Sequence, residues 1–196
     1  MKYFLINFCL FFAIACCAHP HIYIEPSIEI IFDDLGLNGF KNTWVFDGMY
    51  SELIIEEYDK NKNRFFENKE IDCIKEKSFS NVKNQSYFNR IKIGKTKKIV
   101  KEVLDFNANI ENGNVVYSFM VPCRIVAKNY PQFVSISVYD DSYYISLDFD
   151  CDGCLSVKSN KSIKYTVSKY ENEKDSFYFY QIIPYEYTIK YFKVNE

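Results

Sequence analysis

The chain has 196 residues with a nearly balanced charge, 24 Lys and Arg against 26 Asp and Glu, which gives no support for an electrostatic nucleic-acid binder. Seventeen Tyr and 18 Phe against 6 Gly and 5 Pro exclude a disordered or collagen-like chain. Only two histidines occur, His19 and His21, so no mechanism that needs a histidine elsewhere, such as a Ser-His-Asp triad, is available.

Residues 1–18, MKYFLINFCLFFAIACCA, combine an early Lys2, an apolar run and small residues before Ala18. That pattern predicts a secretory signal peptide cleaved after Ala18, and the run is too short for a membrane span. A lipoprotein tethered through Cys16 is the alternative. The remaining residues, 19–196, read as one exported domain in the periplasm, touching a membrane only through such a lipid. Loss of Cys9, Cys16 and Cys17 leaves Cys73, Cys123, Cys151 and Cys154, an even number suited to an oxidising compartment. Cys151-Asp152-Gly153-Cys154 follows a strand and contains a turn dipeptide, so the pair reads as a disulfide across a tight turn. A metal clip or a redox site is what the same motif also permits.

From His21 to Phe32 the alternation is strict, with Ile22, Ile24, Ile28, Ile30 and Phe32 on one face. It predicts a half-buried strand. A turn over 34–39 and a return strand over 41–46 complete a hairpin. Helical spacing follows over 48–58 and again over about 68–77. Downstream, alternating segments at 104–110, 115–121, 134–138, 145–149, 163–168, 177–182 and 185–191 predict strand after strand, with Asn112-Gly113 as a hairpin turn. A change of phase at Asp140-Asp141-Ser142 marks a tight turn or bulge. The expected fold is α+β: a mainly antiparallel sheet system with an EF-hand-like helix-loop-helix insertion near residues 48–78.

Two places could hold a metal. Cleavage after Ala18 would present His19-Pro20-His21 at a free amino terminus, and imidazole is the commonest protein metal ligand. Pro20 has no N–H to lose, which blocks binding through deprotonated backbone amides. The donors are then the amine and ring of His19 and the ring of His21. Glu25 lies too far along the strand to share the ion, so oxygen ligands must come from turns, with Asp47, Asp140 and Asp141 as candidates. The second place is the run from Asp59 to Glu70, which matches a calcium loop at Asp59, Asn61, Asn63, the Phe65 carbonyl, Glu67 and Glu70. Arg64 stands where such a loop needs positive φ, at a cost of about 1 kcal/mol, and Lys60 and Lys62 add positive charge; any calcium binding would be weak.

Taken together, Ala18-His19-Pro20-His21-Ile22-Tyr23-Ile24, Trp44-Val45-Phe46-Asp47 with Tyr50-Ser51, the 59–70 loop, and Ser137-Val138-Tyr139-Asp140 with Tyr143-Tyr144 carry a resemblance. The sequence resembles an uncharacterised exported bacterial family, the domain of unknown function numbered one thousand and seven, described as a periplasmic component of an ABC-type transport system. Members commonly occur beside nickel/cobalt-type permeases. The resemblance implies a non-catalytic, metal-binding accessory of transition-metal transport, with zinc, nickel or copper on His19, His21, Asp47 and Asp140, and a permease or ABC-type system as partner. The competing reading is a structural or protein-interaction module of the cell envelope with a degenerate loop and no metal. An oxidative copper enzyme using His19 is a more distant one.

Overall fold

The computed structural model describes residues 20–194. The signal peptide, the cleavage point, Cys16 and His19 lie outside the described residues. Of the described chain, 49% is strand and 19% helical, arranged as two sheets. The fold is therefore mainly β, and the α+β expectation is corrected.

The first sheet is seeded by the alternating segment at the start. Strands β1 (Ile22–Asp33) and β2 (Gly36–Phe46) form an antiparallel hairpin with Ile24 opposite Phe46. The turn is shorter than its sequence suggests, because Gly36 already belongs to β2. Helices α1 (Gly48–Tyr58) and α2 (Asn68–Lys77) follow, then a 3-10 segment, Phe79–Phe88. Strands β3 (Asn89–Ile93), β4 (Thr96–Lys98), β5 (Leu104–Glu111), β6 (Asn114–Val126), β7 (Gln132–Val138), β8 (Ile145–Leu147), β9 (Leu155–Lys158), β10 (Ile163–Glu171) and β11 (Tyr185–Lys193) complete the chain. One sheet runs β5-β6-β2-β1-β8, with β9 also on β1; the other runs β10-β11-β7-β3-β4.

The inward residues of the two sheets form one core. Ile22, Ile24, Ile28, Ile30 and Phe32 are buried as the alternation requires, and so are Val134, Ile136 and Val138. Aromatic pairs tie the core together: Phe32 of β1 to Tyr191 of β11, and Phe149 of the β8–β9 connection to Tyr187 of β11, each with ring centroids 5.0 Å apart, and Trp44 of β2 to Phe88 of the 3-10 segment at 5.7 Å. Helix α1 is fastened to the first sheet by the buried Ser51 hydroxyl, which accepts from Val115 N at 2.8 Å and donates to the Phe46 carbonyl at 3.3 Å.

β8 and β9 both pair parallel to β1, at Ile22–Ile24 and at Ile28–Ile31. The chain between them leaves the sheet edge and is closed by the Cys151–Cys154 disulfide, with Gly153 at φ +91° in the turn. Cys154 is buried, and its carbonyl accepts from Ile28 N at 2.7 Å, so the link pins this excursion to β1. A loop this short constrains the unfolded chain modestly. Reduction, or Cys151→Ser with Cys154→Ser, is expected to cost about 2 kcal/mol in urea unfolding. Cys73 and Cys123 are free thiols, and burial pushes the Cys123 thiol above its ordinary pKa.

The helical insertion does not form the expected EF-hand. Its carboxylates are spent on the backbone of their own loop. Asp59 accepts from Asn63 N at 3.2 Å and from Arg64 N at 2.8 Å. Glu70 accepts from Lys60 N at 2.8 Å and from Glu67 N at 3.0 Å, the latter as half of a capping box that starts α2. The Asn61 and Asn63 side chains turn their NH2 groups toward Glu67 Oε1, at 2.8 and 2.7 Å, instead of presenting oxygens. Asn63 Oδ1 is taken by Phe65 N at 2.8 Å. A hydrogen bond shared with Glu70, then those from Asn61 and Asn63, hold the Glu67 carboxyl down to about 2. Arg64 does sit at φ +63°, as the spacing required, and its guanidinium pairs with Glu52 on the surface.

Candidate functional site

Three of the predicted metal residues gather at one rim of the first sheet, where β1 begins, β2 ends and β8 begins. His21 is exposed; its backbone N–H donates to the Tyr144 carbonyl at 2.9 Å and its ring lies 4.8 Å from that of Tyr144. Asp47 caps α1. Its Oδ1 accepts from Tyr50 N at 3.0 Å, and its Oδ2 accepts from Tyr23 N at 3.1 Å, two residues along β1 from His21. Alternation puts His21 and Tyr23 on the same face, about 7 Å apart.

Asp140 is buried and tied in more tightly. Oδ1 accepts from Ser142 N at 3.0 Å and the Ser142 hydroxyl at 2.8 Å, and Oδ2 from the same hydroxyl at 2.8 Å and Ile145 N at 3.0 Å. This cage makes the turn that sends the chain into β8. The two aspartates therefore differ as ligands. Each Asp47 oxygen accepts one N–H and retains acceptor capacity, whereas Asp140 is buried in a cage of three donor hydrogens, the single Ser142 hydroxyl proton being shared between its two oxygens. Asp141 instead pairs with Arg90 on the second sheet. Among the described residues, no three His, Cys, Asp or Glu side chains converge as a group able to hold a metal ion. His19, the remaining predicted ligand, lies outside the described residues.

Behind the rim a cleft of about 540 Å³ opens between the first sheet and the Phe79–Phe88 segment. Ile22, Ile24, Trp44, Phe46, Phe79, Phe88 and Tyr117 form its apolar walls, and its polar lining includes Ser78 and Asn81 beside Tyr50, Gln85, Asp140, Ser142 and Tyr144. One wall ends in Ser86, Tyr87 and Phe88, all at φ of +50° to +57°. Non-glycine residues in that region cost about 1 kcal/mol each. Tyr117 is 2% exposed, and burial drives its phenol above the ordinary tyrosine pKa. Ser78 stands close enough to pull slightly the other way, but outside hydrogen-bonding geometry. The cleft escaped the sequence reading because its parts come from five separate segments and include no motif.

Also unforeseen is a buried polar network on the second sheet. Lys92 Nζ lies 2.7 Å from Glu186 Oε2 and 3.1 Å from Asp175 Oδ2. Asn172 donates to the same two oxygens at 2.8 and 2.9 Å, and the Tyr170 hydroxyl donates to Glu186 Oε1. The polar partners are complete, which marks a structural brace. The only sequence signal was Glu186 breaking the aromatic run of β11.

The molecule is thus a two-sheet β protein with a histidine-bearing rim over an aromatic cleft. The chain belongs to the family described as Protein of unknown function (DUF1007), whose model matches residues 4–181. It is 29% identical over 133 residues to an uncharacterized 15.5 kDa protein in the trpE 3' region of Spirochaeta aurantia, covering 67% of this chain and 93% of that one. It is 23% identical over 151 residues to an uncharacterized protein of Haemophilus influenzae, covering 76% and 71%. No solved structure matches significantly.

Proposed function

We propose that this protein is an exported, non-catalytic accessory of transition-metal transport that binds zinc, nickel or copper at its mature N-terminus. The observation that carries the reading is the rim itself: an exposed His21 two residues from Tyr23, whose N–H is bound by Asp47, a carboxylate that retains acceptor capacity. Cleavage after Ala18 would add the amine and ring of His19 to this set. The Cys151–Cys154 disulfide suits an oxidising compartment such as the periplasm. A permease or ABC-type system in the inner membrane is the partner to which the ion would pass. Asp140 then has a positioning role, holding the Tyr144 turn against His21, while Asp47 is the oxygen ligand.

Calorimetry on tag-free protein with a native His19 terminus tests this. Copper should bind tightest whatever the natural cargo. Protons compete with metals for imidazole nitrogen, so uptake should weaken in acid. His21→Ala should lower affinity by more than the roughly 10- to 100-fold that loss of an outer-shell partner already costs. Asp47→Asn keeps the helix cap and should weaken binding more than Asp140→Asn, which acts only through the turn that carries Tyr144. Failure to take up zinc, nickel or copper at micromolar concentration would refute the proposal in favour of an envelope interaction module.

A further inference from the structure

Between β10 and β11, Phe177 and Ile182 pair as an isolated antiparallel bridge, with N–H to carbonyl bonds of 3.0 and 3.3 Å in the two directions. The four residues they enclose form a tight loop, closed again by Gln181 N donating to the Tyr178 carbonyl at 3.2 Å. Its base is anchored: the Phe177 ring stacks on Tyr139 at 5.0 Å, and the Tyr178 ring lies 4.8 Å from that of Tyr143. Its tip is not. Phe179 is 84% exposed and Tyr180 85%, the most exposed large hydrophobic side chains among the described residues. Tyr178, Phe179 and Tyr180 also lie in the left-handed backbone region, at φ 48°, 58° and 63°, with no glycine among them. Each such residue costs about 1 kcal/mol or more. The fold thus holds two large rings in water on an ordered, strained turn, where burial would have stabilised it.

The chemistry of the loop selects what it meets. Residues 176–185, SFYFYQIIPY, contain no Asp, Glu, Lys, Arg or His, so no charge has to leave water if the tip enters a lipid surface. The apolar ring of Phe179 is flanked by two tyrosines, whose amphipathic rings favour the level of the headgroups. Ile183, 39% exposed, adds an apolar side chain beside the loop. A protein partner fits less well. Aromatic rings cover about 150–250 Å² each, so these two offer at most roughly 500 Å², against about 800 Å² from each side of a standard interface.

We infer that the 178–181 loop is a lipid-docking finger, which inserts Phe179 and Tyr180 into the interfacial layer of a bilayer without any covalent lipid. The loop packs on Tyr143, and the next residue, Tyr144, is the one whose ring meets His21, so the finger and the rim share one turn. Docking does not rest on metal binding and is tested without it.

Flotation with vesicles of pure phosphatidylcholine, using metal-free protein with the native His19 terminus, is the test. The protein should float with the vesicles, and added salt should leave binding unchanged, because an uncharged loop has no attraction for salt to screen. Phe179→Ser with Tyr180→Ser should weaken binding about tenfold or more, while the thermal midpoint stays nearly unchanged because both side chains are exposed. Phe179→Trp should still float, and brominated phosphatidylcholine should quench its added indole. In the unsubstituted protein the same lipid should leave the single, buried Trp44 unquenched. Loss of binding in salt, equal flotation of the double variant, or no quenching in Phe179→Trp would overturn the assignment. Failure of the unsubstituted protein to float would also overturn it, in favour of a protein partner for the loop.

Discussion

Replacing Glu186 by Ala is expected to destabilise the protein by about 3–5 kcal/mol, the usual cost of removing one partner from a buried ion pair. The carboxylate is 4% exposed and joins Lys92, Asn172 and Tyr170, three groups from β3, from the β10–β11 connection and from β10. Its removal takes from the Lys92 ammonium the nearer of its two carboxylates, leaving Asp175 of the β10–β11 connection. Burial opposes ionisation of Glu186, but the bonds from Lys92 and Tyr170 outweigh it and hold the carboxyl below the usual glutamate range. The folded pKa is depressed, so the stabilisation is complete above the unfolded value of about 4.3 and is lost as pH falls through the folded one. Urea midpoints of the two proteins should therefore differ most near neutrality and converge in acid. A constant gap down to the acid limit would show that Glu186 acts through packing alone.

Gly36→Ala is expected to be comparably damaging, at about 3 kcal/mol or more. Gly36 sits at φ +139°, a region that side chains rarely enter. An added Cβ would lie 2.3 Å from the Ile125 carbonyl oxygen and 2.4 Å from Ala127 N, both backbone atoms of the β6 end. Neither can withdraw without breaking the Ala127 N to Leu35 O bond of 2.8 Å that ties β6 to the hairpin turn. Gly113→Ala has an open surrounding and φ of +88°, so it isolates the conformational cost from the collision. Thermal unfolding of both variants should place Gly36→Ala well below Gly113→Ala. Equal midpoints would mean that the β2–β6 contact yields easily.

What the sequence made legible follows from periodicity. The buried face of β1, both helices, the Asn112-Gly113 hairpin and the disulfide turn all depend on local patterns, and all appear. The segment Phe79–Phe88 and strands β3 and β4 were not readable. Ser86, Tyr87 and Phe88 adopt left-handed backbone without a glycine or asparagine to announce it, held by the burial of the two rings. The 59–70 loop misled for a related reason. Oxygen spacing is visible in sequence, but nothing there tells whether an ion or the loop's own amides will occupy those oxygens. The rim was half legible: Asp47 and Asp140 were chosen because they sit at turns. Their unequal commitments to neighbouring N–H groups exist only in the folded chain.

The parallel docking of β8 and β9 on β1 fixes an order of assembly. As the chain emerges amino end first, β1 can pair with β2 almost at once, since only a tight turn separates them. Its opposite edge must wait for residues 145–158, more than a hundred positions later. Throughout that interval a long apolar strand presents an unpaired side, the kind of edge on which neighbouring chains add. A cell that makes this protein therefore has reason to keep nascent copies apart, and slowing synthesis before residue 145 should increase insoluble product more than slowing it after residue 158.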